Sequence, residues 1–191
     1  AKNMKAYVDF FRKNGVQVVN MSWGGTAKSV EGELELCNIG KTPDERKTIA
    51  RQYFDLQKKS LQEAIGSAPE ILFVTSAGNA NQDSTFAEAI PADFVLPNLI
   101  TVGAVDKSGD EAPFTSYGKT VVVHANGYLV ESVIPGGERL AESGTSMSAP
   151  NARATSRAVF MSTTELMVII MRRSSRAFST SFTRTSSLSD R

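Results

Sequence analysis

The sequence predicts an α/β fold: a mainly parallel sheet with helices on both faces and a cleft at the carboxyl ends of the strands. Three observations predict it. Runs rich in β-branched and aliphatic residues at 16–21, 71–75 and 99–105 have strand length and are bounded by turn residues. Stretches of helical period at 3–14 and 42–66 precede the first two runs, and such alternation argues for parallel crossover units. Two of the runs open at their carboxyl ends into glycine-containing loops, the place where open parallel sheets bind ligands.

Taken in order, Met4, Val8 and Phe11 lie on one side of a helix over 3–14, and Gly15 stands where it would stop. The strand at 16–21 ends in Ser22-Trp23-Gly24-Gly25. Glycines there let an extended peptide lie close to the backbone, as an added strand would. The other reading is a plain turn with Trp23 packed on the core. Residues 26–40 show no clear period and read as a loop. Thr42-Pro43-Asp44-Glu45 reads as a helix start, with Thr42 as cap, Pro43 in the first turn and Glu45 closing a capping box. Ile49, Tyr53, Leu56 and Ala64, with Ala50, Phe54, Leu61 and Ile65 beside them, form an apolar stripe to about Gly66. Arg46, Lys47, Lys58 and Lys59 between them read as a solvated face. The strand at 71–75 leads into Ser76-Ala77-Gly78-Asn79, and further strands are expected at 99–105 and 120–124. Between Ala125 and Ser143, Gly127, Pro135, Gly136 and Gly137 mark hairpin-like turns.

The chemistry centres on Gly144-Thr145-Ser146-Met147-Ser148-Ala149-Pro150. A serine between a glycine turn and a proline that can open a helix sits where unpaired backbone N–H groups favour negative charge. If Ser146 attacks a carbonyl, the oxyanion forms within reach of a main-chain N–H. Alone, the motif also fits a polar N-cap loop without chemistry.

Three segments in one order, Val19-Asn20-Met21-Ser22-Trp23-Gly24-Gly25, Ser76-Ala77-Gly78-Asn79 and Gly144 to Pro150, together resemble the subtilisin-like serine peptidases. The resemblance covers residues 1–151, including Leu99-Ile100-Thr101-Val102-Gly103-Ala104-Val105-Asp106 and Phe114-Thr115-Ser116-Tyr117-Gly118. It implies a subtilisin-like fold, incomplete here. It also implies endopeptidase hydrolysis through an acyl-enzyme on Ser146, with the Asn79 amide and the Ser146 N–H holding the oxyanion. Ser22, Trp23, Gly24, Ala77 and Gly78 would border the peptide or protein substrate. Ile90-Pro91 matches a place where the family commonly has a cis bond.

His124 is the only histidine, and a serine nucleophile wants an imidazole base. In subtilisin-like enzymes, however, the aspartate and histidine precede the serine and lie upstream of anything resembling residues 19–25. No such segment occurs before Ser22, so the chain reads as the carboxyl-terminal part of a catalytic domain. Its partner would be an upstream segment carrying the Asp and His, and residues 1–191 alone are expected to be inactive. The resemblance implies no metal or other cofactor in this segment, with calcium in the full-length parent, and a secreted or periplasmic location. A non-catalytic peptide-binding module, or pseudopeptidase, is the alternative. A dinucleotide-binding domain lacks its Gly-x-Gly-x-x-Gly here.

Composition adds bounds. A chain of 191 residues, 41% hydrophobic, can bury one core, and a net charge of +1 marks no nucleic-acid partner. Cys37 is the only cysteine, which excludes an internal disulfide. No stretch reaches the roughly 18 apolar residues of a membrane span, and residues 1–4 lack a signal peptide's apolar core.

Usage changes after Asn151. Up to that residue the chain has 10 Lys and 4 Arg; beyond it there are 0 Lys and 7 Arg, and 13 of the last 31 residues are Ser or Thr. The family continues with a buried helix of small and aliphatic residues, whereas Arg153 and Arg157 lie one helical turn apart on the same face. Residues 152–191 therefore read as an aberrant or disordered tail. A frameshift explains the abrupt change better than a basic nucleic-acid or membrane-surface arm. Leu166 to Met171 is an aggregation hazard if unpacked.

Overall fold

The computed structural model describes residues 2–160, with side chains described for 4–152. Four strands, β1 (Val18–Met21), β2 (Leu72–Ser76), β3 (Leu99–Val105) and β4 (Val121–Asn126), lie side by side in that order, all parallel. The register pairs Val19 with Phe73 and Val74 with Ile100. β2 is buried throughout, as its unbroken apolar run requires. β1 is an edge strand, paired on one side only among the described residues.

Helices cover both faces. On one, α1 (Lys2–Lys13), α2 (Ala27–Leu36) and α3 (Pro43–Gly66) enclose a core with Val8, Val30, Phe54, Leu61 and Ile65 against Met21, Phe73, Ile90 and Phe94. On the other, α4 (Thr145–Phe160) lays Ala149 and Ala152 on Leu72, Val74 and Val102. Successive residues of β2 thus serve opposite cores, as the two-residue period of a strand dictates. A two-stranded antiparallel hairpin, β5 (Val130–Val133) and β6 (Arg139–Glu142), stands outside the sheet where the turn residues of 125–143 forecast it.

Several elements follow the sequence closely. α1 buries Val8 with Met4 and Phe11 packed beside it, and Gly15 ends the turn at φ 65°. α3 begins on the Thr42 cap, whose hydroxyl accepts from the Glu45 N–H at 3.2 Å. The Glu45 carboxylate takes the Lys41 N–H at 2.7 Å, one residue before the partner that a capping box uses.

Three expectations are corrected. Residues 26–40 contain α2 instead of a loop throughout: Thr26 and Ser29 cap each other reciprocally, and Ala27, Val30 and Leu34 face α3. On α3 the buried row is Ala50, Phe54, Leu61, Ala64 and Ile65, whereas Tyr53 and Leu56 are more than half exposed. Lys58 is not a solvated charge, because its ammonium lies 2.6 Å from the buried Asp93 carboxylate.

The break in composition after Asn151 falls inside α4, which continues to Phe160. The side chains of Arg153 and Arg157, the apolar run at 166–171 and the rest of the proposed tail from 161 to 191 lie outside the described residues.

Candidate active site

The loops after β1 and β2 and the start of α4 converge at the carboxyl ends of the strands. Asn79 and Thr145 make the tightest link. Asn79 Oδ1 accepts from both the Thr145 N–H and the Thr145 hydroxyl, each at 2.8 Å. That hydroxyl accepts in turn from the Gly78 N–H at 3.1 Å. A backbone N–H can only donate, so the atom facing Thr145 N must be the amide oxygen. The amide orientation is thereby fixed, and the two protons of Nδ2, on a solvent-exposed side chain, form no hydrogen bond among the described residues. Nδ2 lies beside the start of α4, 3.2 Å from where a Cβ on Gly144 would stand.

Ser146 and Ser22 form a reciprocal pair. The Ser146 hydroxyl donates to the Ser22 carbonyl at 3.3 Å, and the Ser22 hydroxyl donates to the Ser146 carbonyl at 2.9 Å. Asn20 Nδ2 donates to Ser22 Oγ at 2.9 Å. The structure therefore brings together Ser22, Gly78, Asn79 and Ser146, which the sequence separates by up to 124 residues.

Two backbone features hold the loops. Gly78 has φ 106°, a left-handed conformation, and its carbonyl accepts from the Ser116 N–H at 2.9 Å. Gly127 lies under the start of α4, where an added Cβ would come 2.1 Å from Ser148 Oγ and 2.7 Å from the Gly144 carbonyl. Gly25 and Ile90 exchange both backbone hydrogen bonds, which ties the loop after β1 to the segment containing the cis Ile90-Pro91 bond. A strap of charges secures that segment to α3: Lys58 pairs with Asp93 and Glu88, and Arg51 with Glu88 and Asp55. Burial holds the Asp93 carboxyl above its ordinary pKa despite Lys58, and the Arg51 hydrogen bond holds that of Glu88 below.

Among the residues expected to border a peptide, Trp23 is 43% exposed, so it is not packed away in the core. Gly24 is exposed. Ala77 is buried, and its N–H donates to the Val102 carbonyl at 2.9 Å. His124 sits on β4 with Nε2 3.5 Å from Glu111 Oε1, while the hydrogen bond of the Ser146 hydroxyl goes to Ser22. The sequence reading missed Thr145 as the group that orients Asn79, and Asn20 as the group behind Ser22. Among the described residues no three His, Cys, Asp or Glu side chains converge. Nor is any described helix long and apolar enough to cross a membrane.

Known proteins resemble the chain in sequence and in structure. It is 30% identical over 145 residues to Subtilisin NAT of Bacillus subtilis subsp. natto, covering 75% of this chain and 30% of that protein. It is 27% identical over 143 residues to Subtilisin-like protease 2 of Plasmodium falciparum, covering 72% of this chain and 10% of the relative. A solved cold-adapted subtilisin-like serine proteinase superposes with a TM-score of 0.56 at 25% identity, over 83% of this chain and 47% of its own. The chain thus spans less than a third of the curated relatives named here. The family model for peptidase S8 matches residues 1–165, and on that match, over the fold and loops described, the chain belongs to the subtilase family.

Proposed function

We propose that this chain is the serine-bearing part of an endopeptidase that cleaves peptide or protein substrates through an acyl-enzyme on Ser146. The observation that carries the reading is the fixed amide of Asn79. With Oδ1 held by Thr145, the side chain offers only N–H protons toward the head of the helix that carries Ser146. A donor aligned before reaction stabilises an oxyanion without reorganising when the charge develops. The Ser146 N–H would be the second donor. Attack requires the Ser146 proton to move to a base, and the Ser22 carbonyl that now accepts it is not basic. The His and Asp that activate the serine are assigned to an upstream segment, a partner for which the edge of β1 left unpaired among the described residues offers backbone donors and acceptors. Ser22, Trp23, Gly24 and the backbone of Ala77 and Gly78 would border the substrate, in a protein assigned to a secreted or periplasmic location by its family alone.

A phosphonate active-site probe tests this on a protein containing the chain and its upstream segment. Labelling at Ser146, abolished by Ser146→Ala, supports the peptidase; an intact protein that is never labelled supports the pseudopeptidase. Residues 1–191 alone should show negligible hydrolysis, and robust turnover lost in Ser146→Ala would refute that part.

For domain organisation the proposal remains a partial peptidase domain at 1–151 and an aberrant tail at 152–191. The shift from lysine to arginine supports it, although the divide falls within α4 and the family match runs to 165. Translating the coding DNA in the other two frames after Asn151 decides: an Ala/Val/Leu-rich helix in neither frame overturns the frameshift.

A further inference from the structure

The helix that carries the nucleophile has a proline in its second turn. Pro150 has no N–H, so the carbonyl four residues before it, that of Ser146, loses its regular helical donor. That same carbonyl accepts the Ser22 hydroxyl at 2.9 Å, and Ser22 Oγ accepts from Asn20 Nδ2 at 2.9 Å. We propose that Ser22, oriented by Asn20, is a positioning residue for Ser146: its hydroxyl replaces the backbone donor that Pro150 withholds and thereby fixes the backbone of the nucleophile.

The direction of the relay follows from valence. A carbonyl only accepts, so the single hydroxyl proton of Ser22 goes to Ser146. Its lone pairs then face Asn20, which must present its NH2 and not its oxygen. The Ser22 carbonyl receives the Ser146 hydroxyl at 3.3 Å, so the side chain is held from the residue that holds its main chain. Two donor–acceptor bonds between the same two residues restrain Ser146 against rotation as well as translation. Asn20 is on β1 and Ser22 follows it, so the sheet itself sets the position of the nucleophile.

The catalytic consequence rests on the peptidase reading; the hydrogen bond itself does not. The chain contains a single Ser-Met dipeptide, Ser146-Met147. Labelling serine with 13C at the carbonyl and methionine with 15N therefore gives one NMR correlation that reports the Ser146 carbonyl in the 191-residue chain. Ser22→Ala should move that carbon upfield. Asn20→Asp should do the same, because its carboxylate captures the Ser22 proton; the two small changes reach one result by different routes. Adding Pro150→Ala to Ser22→Ala restores an N–H at position 150 and should return the signal toward its original position. In the longer protein, the rate of phosphonate labelling at Ser146 should fall roughly five- to tenfold in Ser22→Ala and recover in the double variant. An unmoved carbonyl signal in Ser22→Ala overturns the proposal, and a moved signal with unchanged labelling overturns the positioning role. A parent never labelled would remove the peptidase reading and leave the hydrogen bond to be judged by the carbonyl signal.

Discussion

Asn79 Oδ1 accepts two hydrogen bonds from one residue, Thr145, through its N–H and its hydroxyl, and this pair separates the structural role of the asparagine from the oxyanion role proposed for it. Asn79→Asp keeps an acceptor and loses the amide protons, so the fold should melt at nearly the same temperature. Asn79→Leu leaves the buried Thr145 groups unpaired and should cost about 1–3 kcal/mol in urea unfolding. Both should lower turnover in the longer protein by about 10²–10³, a scale set by the corresponding asparagine of subtilisin and not by this geometry. Full turnover in Asn79→Asp would remove the oxyanion role.

Gly127 has no room for a side chain. Its Cβ position is 2.1 Å from Ser148 Oγ and 2.9 Å from Ala104 Cβ, both buried. Gly127→Ala should push α4 away from the sheet and destabilise the protein by about 1–3 kcal/mol or more. Thermal unfolding reads the effect, and an unchanged Tm would show that α4 moves aside at this contact without cost.

The cap of α2 is a stability element away from the site. Thr26 accepts from the Ser29 N–H at 3.1 Å, and Ser29 Oγ accepts from the Thr26 N–H at 2.9 Å. Thr26→Ala should cost about 1 kcal/mol. Amide exchange over residues 27–30 should quicken first, because the first turn loses its acceptor.

Asp93 gives a pH dependence of definite sign. Its side chain is 6% exposed, and burial raises its pKa above the usual aspartate range. The folded state therefore holds this proton more tightly than the unfolded state. The stability associated with the protonated form is full below the ordinary aspartate pKa and is lost as the pH rises through the raised value. Relative to Asp93→Asn, the wild-type protein should lose stability across that rise, measured by urea unfolding at successive pH values. The opposite slope would mean that Lys58 outweighs burial.

Much of the fold is legible in the sequence. Thr42 and Pro43 announce α3, and Met4, Val8 and Phe11 give α1 its buried side, because caps and period are local properties. α2 escaped because its box closes with Ser29 in place of a Glu or Gln, and only Ala27, Val30 and Leu34 mark its inner side. On α3 the apolar stripe is wider than the buried side, and only packing against α1, α2 and the sheet turns Phe54 inward and leaves Tyr53 outside. At the site, Ser146 and Asn79 stand in short motifs and could be named. Thr145 and Asn20 act through the direction of a proton across a tertiary contact, which residue spacing does not encode.

The clasp between Ser22 and Ser146 joins positions 124 residues apart. Contacts of such long range form late, after most loop-closure entropy has already been lost. During synthesis the amino-terminal strands emerge first and have nothing to aim until α4 arrives. A nascent or truncated copy ending before Gly144 would lack Ser146 together with Thr145, which orients Asn79, and with Ala149 and Ala152, which cover one face of the sheet, so the serine and the scaffold that aims it would be completed in the same step.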